Sequence, residues 1–184
     1  MMKFQRFILI PVIVACLAFS IQALDQVLSG LMPIENNVGF GWIAFIAWAM
    51  YFMAGCNLEG GKKTFFGYIS GVIASIAIME LGGVFSNLGF FAFPMAVFIV
   101  VIPCICLERL PPFDFVPALF VGAGTFFGIM SYVSGATYFT ATITELVYCA
   151  VGLAYGWMTV SLRGRYEMYV EQNEESHDGH HIPH

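Results

Sequence analysis

The chain has 184 residues, 59% of them hydrophobic and only 10% charged, with a formal net charge of −5. A soluble domain carries roughly 25% charged residues, and one of this size could not hide so much apolar surface from water. The composition selects lipid as the solvent and an all-α polytopic membrane protein as the class, and seven Lys and Arg are too few for a nucleic-acid partner.

A helix needs about 20 mostly apolar residues to cross the hydrocarbon core. In chain order the stretches that meet this are Phe7–Leu24, Gly39–Cys56, Thr64–Gly82, Leu88–Cys106, Phe115–Val133 and Tyr138–Leu162. The first has a basic start and an apolar run like a signal peptide. The apolar run continues past Cys16, and removing it would leave an odd helix count, so it reads as an uncleaved span. The last two form one apolar block broken by Ser134, Gly135, Ala136 and Thr137, a turn signal. Pro94 reads as a kink within span four, and Pro117 as an ordinary helix start. The expected organisation is a six-helix transmembrane domain over 1–162 and an acidic, His-rich cytoplasmic tail over 163–184.

Basic residues collect on the cytoplasmic side of membrane proteins. Six spans place Lys3, Arg6, Lys62, Lys63, Arg109, Arg163 and Arg165 all on one side. Five or seven spans would divide them. Both termini are therefore expected in the cytoplasm.

Thr-Phe-Phe-Gly occurs twice, at Thr64–Gly67 and Thr125–Gly128. Under the six-span topology both copies enter parallel helices, which reads as a parallel internal repeat of spans 2–3 and 4–5. Gly67 and Gly71, Gly124 and Gly128, and Gly152 and Gly156 each form a small-xxx-small face. In lipid, where apolar burial does not drive helices together, such faces allow close packing. Phe65, Phe66, Phe126 and Phe127 would then be paired constrictions beside Thr64 and Thr125.

The residues between Tyr51 and Gly71, with Tyr51, Phe52, Cys56, Gly60 and Gly61, resemble the YcdZ-type inner-membrane proteins. So does the later run Phe115, Val116, Pro117, Phe120, Gly122 and Ala123. That is a family of small bacterial membrane proteins of unknown function. The resemblance implies a bacterial cytoplasmic (inner) membrane and supplies no chemistry. Lys62 and Lys63 depart from the family's more apolar pattern after the Gly-Gly pair.

Ionisable residues inside a bilayer are costly and point to function. Two lie within the spans: Glu80, late in span three, and Glu145, deeper, in span six. Thr142 stands three residues before Glu145 and shares its face. Asp25 and Glu35 add acid at the same end, where no Lys or Arg is expected, so anions are disfavoured. An acid without a basic partner in an apolar site either donates a hydrogen bond in its neutral form or meets a cation. The five cysteines read as small buried apolar residues. His177, His180, His181 and His184 are weak metal candidates in a solvated tail, at spacings that match no closed site. No enzyme motif and no cofactor signature is present. The reading is a channel or transporter for a small neutral or weakly cationic polar solute, embedded in lipid, with assembly of identical copies left open. The alternative is a non-transporting subunit that binds a cytoplasmic partner through its loops and tail.

Overall fold

A computed structural model describes residues 7–34 and 39–178, with side chains through Gln172. Among the described residues the chain is helical, without strands. The α-helices are α1 (Leu9–Leu28), α2 (Gly41–Met53), α3 (Leu58–Val84), α4 (Ala92–Cys106), α5 (Val116–Tyr132) and α6 (Tyr138–Asp178). Their limits follow local chemistry. Gly55 and Cys56, both at positive φ, turn the chain between α2 and α3. Asn57 then caps α3 by accepting the Gly60 N–H at 2.8 Å, satisfying one of the free donors at a helix start. Gly89, at φ 54°, breaks the chain before α4. Pro94 therefore falls in the first turn of α4, where its missing N–H costs nothing, and not at a mid-span kink. Pro103 is the proline inside that helix.

Four stretches are long and apolar enough to cross a membrane: Leu9–Leu31, Leu58–Val84, Ser86–Arg109 and Tyr138–Gln172. The second and fifth expected spans are shorter helices, Gly41–Met53 and Val116–Tyr132. At 1.5 Å per residue, the 13 residues of α2 extend only about 20 Å against a core about 30 Å thick. Length alone therefore gives four crossings where six were expected. The last expected span, Tyr138–Leu162, lies in a helix that runs on to Asp178, so α6 also carries the first part of the charged tail. From Tyr166 to Asp178 the chain contains no Gly or Pro, and Arg163 Nε donates to Glu167 at 2.8 Å, one turn on.

α3 packs most extensively on α5, and α2 on α6. Both pairs are in backbone contact. A methyl added at Gly67 would lie 2.6 Å from Ala118 Cβ, and one at Gly122 would lie 2.7 Å from Tyr68 Cα. Gly71 faces Leu119, Gly122 and Ala123, while Gly152 faces Ala44 and Ala47, and Gly156 faces Tyr51. Partner numbers rise together along each pair, so both pairs run parallel. α1 runs antiparallel to α6, since Ser20 meets Tyr155 and Asp25 meets Tyr148. α4 lies mainly against α3.

The Thr-Phe-Phe-Gly copies do not stand side by side. Gly67 meets Ala118 and Gly71 meets Gly122, an offset of 51 residues, whereas Thr64 and Thr125 are 61 apart. The second copy thus lies about ten residues, or about 15 Å, further along its helix, so the four phenylalanines form no constriction at one depth. Gly124 is not a packing residue either: a methyl there meets nothing within 4 Å, and at Gly128 it would meet only the Trp42 ring, at 3.7 Å. The α5 side of the contact is made by Ala118, Leu119, Gly122 and Ala123. Cys16, Cys56 and Cys106 are exposed, and Cys104 and Cys149 are buried.

Candidate functional site

Glu145 has no exposed surface. Both of its carboxylate oxygens are buried with no hydrogen-bond partner among the described residues. It lies seven residues into α6, about 10 Å along the helix. Glu145, Cys149, Gly152 and Gly156 follow one another at four, three and four residues, one stripe of the helix. The lower part of that stripe is pressed onto α2 by the two glycines. Across from the upper part stands Tyr68 of α3, fully buried. Its hydroxyl has Cys149, Glu145 and Thr125 as electrostatic neighbours. Thr125 donates its own hydroxyl proton to the Val121 carbonyl at 2.9 Å. It leaves the Tyr68 hydroxyl without a bond of acceptable geometry. The Thr144 hydroxyl is likewise buried and unpartnered.

A buried polar group without a partner forfeits its hydration and gains nothing in return, and for a carboxylate the cost is larger still. Here two carboxylate oxygens, a phenol and a thiol gather where α3, α5 and α6 meet. Among the described residues, every Lys and Arg lies at the opposite end from Asp25, where α3 and α5 begin or α6 leaves the bundle. Among the described residues no Lys or Arg reaches Glu145. The cluster can accept hydrogen bonds from, or offer charge to, a small partner that enters it.

Two further acids flank the bundle. Asp25, 5% exposed, accepts the Tyr148 hydroxyl at 2.6 Å and the Phe40 N–H at 3.0 Å on one oxygen. It thus ties the last turn of α1 to the start of α2 and to α6. Gly39 and Gly41 leave room for this, since a side chain at either would run into the Asp25 carboxylate. At the other end Lys63 donates to Asp114 at 2.6 Å, joining α3 to the connection before α5.

The remaining expected site residues are dispersed. Glu80 is exposed and accepts the Tyr138 hydroxyl at 2.9 Å. Thr64 is buried but bonds back to Gly60, and Thr142 bonds back to Tyr138, so both hydroxyls are spent within their own helices. Phe126 is fully buried, Phe65 is partly buried in the same core, Phe66 stacks edge-on with Phe113 and Phe127 with Phe93. Glu35, His180, His181 and His184 lie outside the described residues, and of His177 only the helical backbone is described.

Tyr68, Tyr148 and Cys149 were not singled out from the sequence. Tyr148 and Cys149 stand three and four residues after Glu145, and that spacing was the available signal. Tyr68 carried none, because its place opposite Glu145 depends on how α3 crosses α6.

The family match covers residues 12–163, from the first helix to the point where α6 becomes charged. The chain belongs to DUF1097, a family of proteins of unknown function. No curated protein matches it, and no solved structure does. The Glu145 cluster and both flanking aspartates of this DUF1097 protein lie inside the matched region, while the helical extension from Gly164 to Asp178 lies beyond it.

Proposed function

We propose that this DUF1097 protein is a membrane transporter for a small neutral or weakly cationic polar solute, which it holds at an occluded site around Glu145. The observation that carries this is the Glu145 carboxylate, wholly buried with both oxygens unpartnered in a bundle of apolar helices. Such a residue is expensive in a bilayer and is retained where a solute or ion passes. The backbone contact of α3 with α5 leaves no room for a path between them. It favours a carrier with an enclosed site over an open channel. The absence of Lys and Arg near the site among the described residues favours a neutral or cationic cargo.

The reading includes six passes, with the short α2 and α5 crossing inside the bundle, and both termini on the basic, cytoplasmic face. It also places the chain among the YcdZ-type proteins of the bacterial inner membrane, without enzymatic activity. Purified protein in liposomes should carry ammonium, methylamine or small amides above the rate of empty vesicles, and Glu145→Gln should change that rate. No flux for any of them sinks the proposal. The helical extension of α6 to Asp178 favours a second reading, a membrane subunit whose cytoplasmic arm binds a partner protein. Under it, deleting residues 166–184 would abolish co-purification of that partner.

A further inference from the structure

Among the described residues, Glu145 is the buried carboxylate with neither oxygen bonded. Asp25 accepts the Phe40 N–H and the Tyr148 hydroxyl. Glu80 is exposed and held by Tyr138, and Asp114 is held by Lys63. The titratable groups that face Glu145 are Tyr68 of α3 and Cys149 of α6. α5 adds the Thr125 hydroxyl beside Tyr68. α2 lies further along the stripe, with Ala44, Ala47 and Tyr51 against the two glycines. Asp25 of α1 meets α6 three residues beyond Glu145, at Tyr148, and a like charge there opposes a bare carboxylate.

A phenol, a thiol and an aliphatic hydroxyl are neutral or negative in water, never positive. None of these neighbours can neutralise Glu145, and a bare ion in an apolar interior costs far more than a paired one. One positive charge from outside meets the need. With none, the site holds an isolated anion; with two, an isolated cation. A proton and a cationic solute therefore compete for one carboxylate, and the site is neutral with either.

The free oxygens also select the cation. Two unpartnered oxygens on one carboxylate form a bidentate acceptor, which the parallel N–H groups of a guanidinium match. The Tyr68 hydroxyl oxygen, buried and unbonded, is a further acceptor. A guanidinium is planar, always charged and more weakly hydrated than an ammonium, so it loses less on entering an apolar site. We propose that Glu145 exchanges one proton for one small guanidinium-type cation, with no net charge crossing the membrane. On one face the carboxyl O–H bond breaks, the proton goes to water and the carboxylate takes the cation. On the other face the cation leaves and a proton from water re-forms the O–H bond. Nothing is oxidised or reduced. The exchange rests on the transport reading and adds to it the cargo class and the coupled ion.

Methylguanidinium is the probe, at concentrations far below those that denature. Added to detergent-purified protein in weakly buffered solution, it should release about one proton per cation bound. Lowering the pH by one unit should weaken its binding about tenfold while the empty site holds its proton. Glu145→Gln, of equal volume and permanently neutral, should release no proton. Tyr68→Phe should still release it while binding severalfold more weakly, which separates loss of the exchanging group from a general defect of folding. In liposomes an acid interior should drive methylguanidinium inward, faster than ammonium, and an imposed membrane potential should not change the rate. Binding without proton release, or uptake driven by the potential, overturns the exchange. Flux of ammonium or small amides without methylguanidinium also overturns it and leaves the transporter. Proton release on binding without flux of any solute removes the transporter, and the exchange with it, and leaves a cation-binding site.

Discussion

Gly71→Ala isolates the helix contact on which the bundle depends. A methyl at Gly71 would sit against the Ala123 nitrogen and the Leu119 oxygen, and 2.9 Å from the Gly122 carbonyl carbon. All three are backbone atoms, so no side chain can swing aside and α3 must separate from α5. Overpacking of this kind costs typically 1–3 kcal/mol, and with only backbone to yield, the upper end applies. A loss of about 3 kcal/mol lowers the folding equilibrium by a factor of roughly 150. At roughly 2–4 °C per kcal/mol for a chain of this size, it lowers Tm by about 6–12 °C. Gly124→Ala is the control. It stands in the same kind of glycine pattern, yet a methyl there meets nothing within 4 Å, and alanine favours a helix over glycine by roughly 0.5–1 kcal/mol. Its Tm should hold or rise slightly. Heating the detergent-purified variants and measuring the surviving monodisperse fraction by size exclusion gives both numbers. The reasoning fails if Gly71→Ala melts with the wild type, or if Gly124→Ala falls as far as Gly71→Ala.

Glu145→Gln keeps the side chain's volume and removes a carboxylate that has no partner to lose, so Tm should not fall while cation flux does; a large drop in Tm would mean that Glu145 is structural. Asp25→Asn weakens the bonds from both Phe40 and Tyr148 and should cost about 2–3 kcal/mol. Tyr148→Phe should cost less, and the double variant should cost less than the sum, since both act on one bond; strict additivity would place the two residues apart. In a background free of native cysteines, cysteines at positions 66 and 113 should be joined by a short bifunctional reagent, because the Phe66 and Phe113 rings lie 5.3 Å apart. Cysteines at 66 and 127, the equivalent places in the two Thr-Phe-Phe-Gly copies, should not, and the reverse result would restore the repeat as the spatial relation.

The helices were legible from local information. Hydropathy located all six, Asn57 and Gly89 mark boundaries that their own conformations impose, and the rarity of acids within the spans singled out Glu80 and Glu145, of which only Glu145 is buried. Length was less legible. The apolar runs around α2 and α5 continue into turns that the backbone uses to reverse, and α6 runs on to Asp178 because from Tyr166 onward it holds no Gly or Pro. Which glycines pack could not be read from their spacing. Gly67 and Gly124 look alike along the chain, but only Gly67 meets a neighbouring backbone, since register between helices depends on every small residue of both faces at once. For the same reason the repeated Thr-Phe-Phe-Gly misdirects. The sequence by itself determined the apolar composition, the helices and the two acids that fall within the apolar runs, Glu80 and Glu145. Tertiary structure decided that α6 packs on α2 and α3 on α5, and that Tyr68 faces Glu145. It also decided that two aspartates far apart in the chain are held by donors from the opposite half. Contacts between helices are non-local, and no periodicity within one helix encodes its partner.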